Sequence, residues 1–227
     1  MCLAGSNAGF YRTDMGKAMG MRLRLTLKPS ANSFFLYEGY LDDVVLFFRQ
    51  LFNNEHVSVT DFLSSRKICT DKGIWLIGKS NLVICSPFLQ SLMREIVLLS
   101  RKQLIIQENT LEITNVEICR QKTLYEGLLL SGVYSYSGSD YLEYENSPEL
   151  FSECLRQNLL DIYRKINDQE EPEDKRFFIS LNKAFKKQII LGKPTYRGIF
   201  EIFGSPELCN IFNQCFVTGR SKVSERG

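Results

Sequence analysis

Alternating polar and apolar residues mark the first element that the sequence predicts. From Arg22 to Lys28 every second residue is polar, and the three residues between them are leucines. Successive side chains of a strand point to opposite sides, so this pattern predicts a half-buried strand. Its basic face, with Arg22, Arg24 and Lys28, is either the solvent side of an antiparallel sheet or a surface that contacts phosphate groups.

Helical spacing of apolar residues and three Ser-Pro dipeptides predict four helices. Residues 40–52 place their apolar side chains three or four positions apart, as in an amphipathic helix. Ser-Pro pairs begin the other three segments, because serine accepts a free backbone N–H group and proline suits the first helical turn. We therefore predict helices over about 40–52, 86–100, 147–166 and 205–215.

Short apolar runs between turn residues predict the remaining strands. Residues 74–85 have the pattern of two strands around a tight turn, which we interpret as a hairpin, and two further strands follow at about 104–107 and 111–119. The strands predicted after residue 120 lie at about 124–136, 177–181, 188–191 and 196–203.

Each half of the chain therefore repeats the order strand, helix, hairpin, helix, strand, except that the second half lacks its final strand. This is the order of a ferredoxin-like β-α-β-β-α-β unit. The predicted fold class is α+β, with two tandem ferredoxin-like (RRM-like) domains at 21–120 and 121–227. Clean periodicity begins only at Met21, so we interpret residues 1–20 as a disordered leader or a mis-called start.

Composition excludes several classes of protein. The 227 residues are 44% hydrophobic and carry a net charge of +2, so a core is expected and any nucleic-acid site depends on local clusters of cations. The seven cysteines form no C-x-x-C pair and there is one histidine, so we expect buried free thiols, no metal site and no cofactor. No stretch reaches about 20 apolar residues and no secretory signal is present, so we expect a cytoplasmic protein without membrane contact.

Cations cluster in the last hairpin and in the terminal loop. The candidate phosphate contacts are Lys186, Lys187, Lys193, Arg197, Gly219, Arg220, Lys222 and Gly227. Arginine and lysine beside a short loop with free N–H groups suit a phosphate backbone, and an exposed Tyr196 would stack on a base. The alternative is an ordinary basic hairpin that balances the acidic segment at 168–174.

Several segments, in order and spacing, resemble one protein family. These are residues 21–25, 130–133, 140–142 and the run from Tyr196 through Leu208. The chain is similar there to the CRISPR-associated endoribonucleases that cut repeat RNA, the sixth Cas family of the RAMP superfamily. The resemblance implies binding of CRISPR repeat RNA between two domains and metal-independent cleavage of precursor crRNA. It also implies the crRNA and other Cas effector subunits as partners.

The chain departs from the family in its glycine-rich loop. The family's loop usually has several glycines and runs into a final strand. Here Gly219 and Gly227 stand eight residues apart with Arg220 and Lys222 between them, and the sequence then ends. We therefore expect a truncated loop, which would make the chain either a fragment or a protein that has lost part of its RNA cradle.

The resemblance implies a histidine, a tyrosine and a lysine as catalytic residues, since metal-free cleavage needs a base, an acid and a cation. Family members place the histidine after an aromatic-Leu pair, but here Phe62-Leu63 is followed by Ser64. The candidates are therefore His56, Tyr40 and Lys67. Surface exposure is the alternative for His56 and Lys67, and packing is the alternative for Tyr40.

Two other functions remain open at this point. A relative that holds crRNA without cutting it is one alternative, because the expected histidine is absent from its position. A truncated RAMP protein that acts as a scaffold through protein contacts is the other. Binding to one repeat that weakens with salt would distinguish the RNA-binding functions from the scaffold.

Overall fold

The computed structural model describes residues 20–31, 33–64, 66–99, 102–182 and 185–220. Within them the fold is α+β with mostly antiparallel sheets, as the sequence predicts. No helix in these ranges is both long enough and apolar enough to span a membrane.

The first half of the chain contains eight strands and two helices among the described residues. The strands are β1 (Gly20–Pro29), β2 (Ser33–Tyr37), β3 (Ser58–Val59), β4 (Lys67–Thr70), β5 (Gly73–Ile77), β6 (Ser80–Cys85), β7 (Gln103–Ile106) and β8 (Asn109–Gln121). The helices are α1 (Tyr40–Phe52) and α2 (Met93–Leu99).

The second half contains seven strands and two helices among the described residues. The strands are β9 (Glu126–Val133), β10 (Tyr136–Ser137), β11 (Asp140–Tyr141), β12 (Phe177–Leu181), β13 (Lys186–Ile190), β14 (Lys193–Gly204) and β15 (Thr218–Gly219). The helices are α3 (Pro148–Ile166) and α4 (Pro206–Cys215).

The main sheet of the first half has the strand order β3-β6-β1-β8-β7. The leucines of β1 are buried in one core with Val44 and Phe48 of α1, as the alternating pattern predicts. A separate sheet in the order β2-β5-β4 packs on the same core.

The predicted hairpin at residues 74–85 is wrong. β5 and β6 follow each other across the turn at Gly78, but β5 pairs with β2 and β4 while β6 pairs with β1 and β3. Their burial explains the difference, since β5 alternates buried and exposed residues whereas β6 is buried along most of its length. The turn therefore passes the chain from a strand with one exposed face to a strand that is buried on both faces along most of its length.

The main sheet of the second half has the strand order β12-β14-β9-β15, with β13 pairing on β14. β15 is short, and its Thr218 and Gly219 pair with Leu129 and Leu128 of β9. The prediction that the second half lacks its last strand is therefore wrong, because two paired residues are too few to show an alternating pattern.

Three helices agree closely with the sequence patterns and one does not. α1 spans the predicted residues, and α3 and α4 begin directly after Ser147 and Ser205, whose hydroxyls accept backbone N–H groups as N-caps. After Ser86 the chain instead forms turns with bonds three residues apart, such as Leu92 N–H to Leu89 O at 3.1 Å. α2 therefore starts only at Met93.

All six described cysteines are free thiols. Cys85, Cys209 and Cys215 are buried as expected, whereas Cys69 on β4 is exposed. The composition alone could not identify the exposed one.

A buried contact joins the two halves. Val83 and Cys85 of β6 form a small apolar cluster with Val217, against which Leu130 of β9 packs. Beside it Gln121 donates to the Thr218 hydroxyl at 3.1 Å and accepts from the Cys85 thiol at 3.3 Å. The end of β8 therefore fixes the segment that leads into the terminal loop.

Candidate functional site

Tyr40 and Lys67 meet at a carboxylate that the sequence patterns did not single out. The Tyr40 hydroxyl donates to Asp61 Oδ1, and the Lys67 ammonium forms an ion pair with Asp61 Oδ2. The backbone N–H of Phe62 also donates to Asp61 Oδ1, at 2.7 Å. Asp61 thus holds both side chains in place, although 21 residues separate it from Tyr40 in sequence.

Burial and Asp61 together make Tyr40 a poor proton donor or acceptor. Tyr40 is buried, and this burial raises its pKa, to which the adjacent Asp61 charge adds. The hydroxyl therefore stays protonated and bonded to the carboxylate near neutral pH. Lys67 forms an ion pair with the same carboxylate. The polar groups of both side chains are therefore bonded within the protein.

Arg197 brings a cation from the second half to this cluster. It lies on β14, and burial lowers its pKa while the Asp61 charge acts in the opposite direction. Its Nε and Nη2 atoms are buried and have no hydrogen-bond partner among the described residues. Buried polar groups are nearly always paired, so two unpaired guanidinium nitrogens call for an explanation such as an anionic ligand.

We name Tyr40, Asp61, Lys67 and Arg197 the Asp61 cluster. The negative charge of Asp61 is balanced by the positive charge of Lys67, and Arg197 adds one further positive charge. Nothing in the local sequence distinguishes Asp61 from the other acidic residues, so only the fold could reveal it. Its members lie on α1, on β4, on β14 and in the segment between β3 and β4.

The hairpin of β13 and β14 is anchored on the first half of the chain. The backbone N–H of Leu191 in its turn donates to Asp42 Oδ1 at the start of α1, at 3.0 Å. Ile190 and Leu191 also pack against the first core. This contact sets where Arg197 lies relative to Tyr40 and Asp61.

Two of the predicted lysine contacts are engaged inside the protein. Lys187 forms an ion pair with Glu143 at 2.6 Å, which raises the pKa of Lys187. The Lys193 ammonium lies 5.1 Å from the ring centroid of Tyr134 and 4.7 Å from that of Tyr141. These cations therefore have local partners that a bound RNA would have to share.

Lys186 remains available for a phosphate. It is exposed at the start of β13 and lies directly opposite Arg197 in the pairing of β13 with β14. Residues directly opposite in an antiparallel pair share a face of the sheet. Lys186 and Arg197 therefore present an exposed and a half-buried cation on one surface.

Tyr196 does not have the exposed position that the sequence suggested. It is fully buried, its hydroxyl donates to Glu145 Oε2 at 2.7 Å and accepts from the Tyr144 N–H at 3.0 Å. The expectation that Tyr196 stacks on a base is therefore wrong. Its position in β14 places its ring in the second core, because the strand is covered on that face.

The start of the terminal loop lies against β1. Gly219 pairs with β9, Arg220 is exposed, and Arg22 of β1 donates from Nη1 to the Thr218 carbonyl at 3.1 Å. A Cβ on Gly127, whose φ is +156°, would come within 2.4 Å of the Gly219 carbonyl. Glycine is therefore needed at 127 for this approach.

The other two loop candidates, Lys222 and Gly227, lie outside the described residues. The basic face of β1 is partly exposed in front of this loop. Arg24 there lies 3.7 Å from Glu117, with both side chains about half exposed, so the pair is weak.

His56 lies apart from the Asp61 cluster. It is half-buried, its ring centroid is 5.8 Å from that of Phe88, and it lines a small cavity with Tyr134 and Tyr136. Burial lowers the pKa of His56, and the charge of Lys165 adds to that effect. The imidazole is therefore neutral near pH 7, and the three predicted catalytic residues do not form one site.

The second half of the chain matches a known family. The model described as CRISPR associated protein Cas6, C-terminal, matches residues 110–215. No curated protein matches the chain.

Three solved structures have a similar fold. A CRISPR associated protein Cas6 has a TM-score of 0.69 and 18% identity, covering 87% of this chain and 93% of its own. A RAMP protein described as binding different RNA substrates has a TM-score of 0.69 and 20% identity, with 86% and 93% covered. A Cas6-related protein from Pyrococcus furiosus has a TM-score of 0.62 and 21% identity, with 88% and 94% covered. At these identities the similarity establishes the fold.

Proposed function

We propose that this chain, whose residues 110–215 match the Cas6 C-terminal family model, binds CRISPR repeat RNA and holds the crRNA. The predicted resemblance to this family is confirmed over those residues, whereas the binding function is our inference. It is supported by cations that the fold gathers from both halves of the chain.

One observation carries this proposal, the unpaired guanidinium of Arg197. Within the described part of the chain its buried Nε and Nη2 atoms have no hydrogen-bond partner. The carboxylate whose charge acts on Arg197, that of Asp61, is already paired with Lys67. Asp61, Lys67 and Arg197 together carry one net positive charge. A phosphate oxygen would accept from both nitrogens, since guanidinium matches phosphate in shape and charge.

The same site gives less support to catalysis by Tyr40 and Lys67. Cleavage requires groups that reach the 2′-hydroxyl, the phosphate and the leaving oxygen. Tyr40 and Lys67 instead point their polar atoms at Asp61. For this reason we place crRNA binding first.

Metal-independent cleavage of precursor crRNA is the second candidate, and the lowered pKa of His56 favours it. A neutral imidazole is the form that accepts a proton from a 2′-hydroxyl. Tyr40 and Lys67 would then act only after RNA displaces them from Asp61.

We further propose that each half of the chain is a ferredoxin-like domain, over about 21–120 and 121–227. The order β8-β1-β6-β3 in the first main sheet and the order β15-β9-β14-β12 in the second support this, because both correspond to the ferredoxin-like order 4-1-3-2. RNA would then bind where the two domains meet. We also propose a cytoplasmic location and contacts with other Cas effector subunits.

A gel-shift and cleavage assay on the repeat RNA of the source genome tests both candidates, with EDTA present throughout. We expect a shifted complex without product, and weaker binding by Arg197→Gln. Arg164→Gln is the matched control, because Arg164 is an arginine paired on the outer surface of α3.

Three other results would change the assignment. Product that disappears in His56→Ala would establish cleavage at His56. Equal binding by the wild type and Arg197→Gln would show that Arg197 does not contribute to binding of the repeat RNA. Absence of any binding would favour a scaffold that acts through protein contacts.

A further inference from the structure

The small sheet β2-β5-β4 has one face that the proposed function does not use. In its central row Phe35, Trp75 and Ile68 lie directly opposite one another across three strands. In the next row Tyr37 lies opposite Gly73. Because directly opposite residues share a face, three aromatic side chains line one surface, which we call the aromatic platform.

Two of the platform rings are exposed, and both contact the half-buried ring of Phe35. Tyr37 is 63% exposed and Trp75 is 42% exposed. The Phe35 ring centroid lies 4.9 Å from that of Tyr37 and 5.1 Å from that of Trp75. The three rings thus form a continuous aromatic surface, of the kind on which unpaired bases stack.

The opposite face of this sheet anchors the platform. Phe34 and Leu36 of β2 and Ile74 and Leu76 of β5 are all buried in the first core. Because alternate residues of the same strands are packed in the core, the platform side chains are held in place before a ligand binds. Binding therefore costs less conformational entropy than it would at a flexible surface.

Side-chain amides close the outer edge of β2. Gln107 accepts from the Tyr37 N–H at 2.8 Å and donates to the Tyr37 carbonyl at 3.2 Å. Asn109 donates to the Phe35 carbonyl at 2.9 Å. The β2 edge is thus unavailable for an added strand.

Two cations flank the platform at opposite ends. Arg66 accepts the Ile77 N–H at its carbonyl, at 3.1 Å, and is exposed in the row beyond Trp75. Lys72 is exposed in the turn between β4 and β5, beside Tyr37. Within the described part of the chain, neither side chain has an ion pair with a carboxylate.

A second exposed aromatic pair, in the main sheet of the second half, differs from the platform in the state of its neighbouring cations. Phe178 and Phe203 lie opposite each other on β12 and β14, and both are exposed. The cations beside them, Arg156, Lys175 and Arg176, are each paired with a carboxylate. Of these two surfaces, the platform is therefore the one whose neighbouring cations form no ion pair among the described residues, although the exposed carboxylates of Asp71 and Glu38 lie next to Lys72 and Tyr37 in sequence. Exposed rings beside unpaired cations favour a polyanion as the partner.

We propose that the aromatic platform binds unpaired RNA, with bases stacked on Tyr37 and Trp75 and phosphates at Arg66 and Lys72. The proposal rests on the proposed function, because it assigns single-stranded nucleotides next to the repeat to this surface. It adds an RNA-binding surface distinct from the Asp61 cluster.

The single tryptophan of the sequence makes the test direct. A 12-nucleotide oligouridine and a blunt 12-base-pair RNA duplex are titrated into the full-length protein while tryptophan emission is recorded. We expect the oligouridine to quench Trp75, since a stacked base lies against the indole, and the duplex to leave the emission unchanged.

Single substitutions test whether the oligouridine binds at the platform. Tyr37→Ala should weaken oligouridine binding on the order of tenfold, as expected for loss of one stacking partner, while Tyr37→Phe keeps the ring and the affinity. Phe203→Ala is the matched control, because it removes an exposed ring whose neighbouring cations are paired. Tyr37 is largely exposed, so these variants should keep the wild-type melting temperature.

The outcomes separate this proposal from the proposed function. Unchanged Trp75 emission with oligouridine, while the repeat RNA still binds, would overturn the platform alone. Quenching without any binding of the repeat RNA would support the platform and overturn the proposed function. Unchanged emission with self-association that Trp75→Ala abolishes would overturn the platform and assign this face to a second copy of the chain.

Discussion

Replacing Asp61 with alanine tests whether the Asp61 cluster is held as the structure indicates. The substitution removes the acceptor of the buried Tyr40 hydroxyl and the partner of the Lys67 ammonium. It also leaves Arg197 and Lys67 without a neighbouring negative charge. We therefore expect a stability loss that is large for a single, partly exposed carboxylate.

The magnitude follows from what each group loses. Leaving a buried hydroxyl without a partner costs about 1–3 kcal/mol. The Lys67–Asp61 pair is partly exposed, with side-chain exposures of 21% and 31%, so its loss adds about 0.2–1 kcal/mol. The expected decrease in unfolding free energy is thus about 1–4 kcal/mol, or a melting temperature lower by about 2–16 °C for a chain of this size.

Urea unfolding followed by circular dichroism measures this decrease. Asp61→Asn separates the two contributions, because its amide oxygen still accepts from Tyr40 while its charge is gone, and we expect about 1 kcal/mol. Asp161→Asn is the control, since Asp161 forms an exposed ion pair with Arg164 and should cost less than about 0.5 kcal/mol.

Equal stability of Asp61→Ala and Asp161→Asn would refute the reasoning. It would mean that Tyr40 finds another partner or that its hydroxyl is solvated. A change in the slope of unfolding free energy with urea would also count against it, since that would indicate a different folded or unfolded state rather than a lost contact.

Three further predictions concern His56 and the contacts that Gly127 and Gln121 make with residues 218–219. Gly127→Ala should detach β15 and lower unfolding free energy by about 2 kcal/mol or more, because its Cβ would meet the Gly219 carbonyl at 2.4 Å; a wild-type urea midpoint would contradict this. Gln121→Ala should lower unfolding free energy by about 1–3 kcal/mol and weaken binding of the repeat RNA, since it removes the bond to the Thr218 hydroxyl; full affinity in a gel shift would contradict it. Burial lowers the pKa of His56, so the folded state resists its protonation, and the wild type should lose stability relative to His56→Gln as pH falls below about 6.5; parallel melting curves of the two proteins from pH 7.5 to 5.5 would contradict this.

Local patterns predicted most of the elements. The capping serines at 147 and 205 fixed the starts of α3 and α4, and apolar spacing fixed both ends of α1. These signals lie within a few residues of the element they determine. Pairing between strands is a property of the whole chain, and the turn at Gly78 therefore gave no indication that β5 and β6 belong to different sheets.

The candidate site was predictable only in part, for the same reason. Family resemblance and residue type suggested Tyr40, Lys67 and Arg197, but the carboxylate that joins them is Asp61, whose partners come from three distant elements. Tyr196 illustrates the opposite error, since a tyrosine in a basic hairpin looked exposed and is buried. Burial depends on which face of β14 the core covers, and that is decided by β9 and α3.

The affinity for the repeat RNA of the source genome as a function of salt tests the central claim most directly. Three phosphate contacts, at Lys186, Arg197 and Arg220, predict that the logarithm of the association constant falls against the logarithm of salt concentration with a slope of about −2. Arg197→Gln should make that slope shallower by about 0.7, whereas Arg164→Gln should leave it unchanged. No binding at low salt, or a slope near zero, would contradict the account.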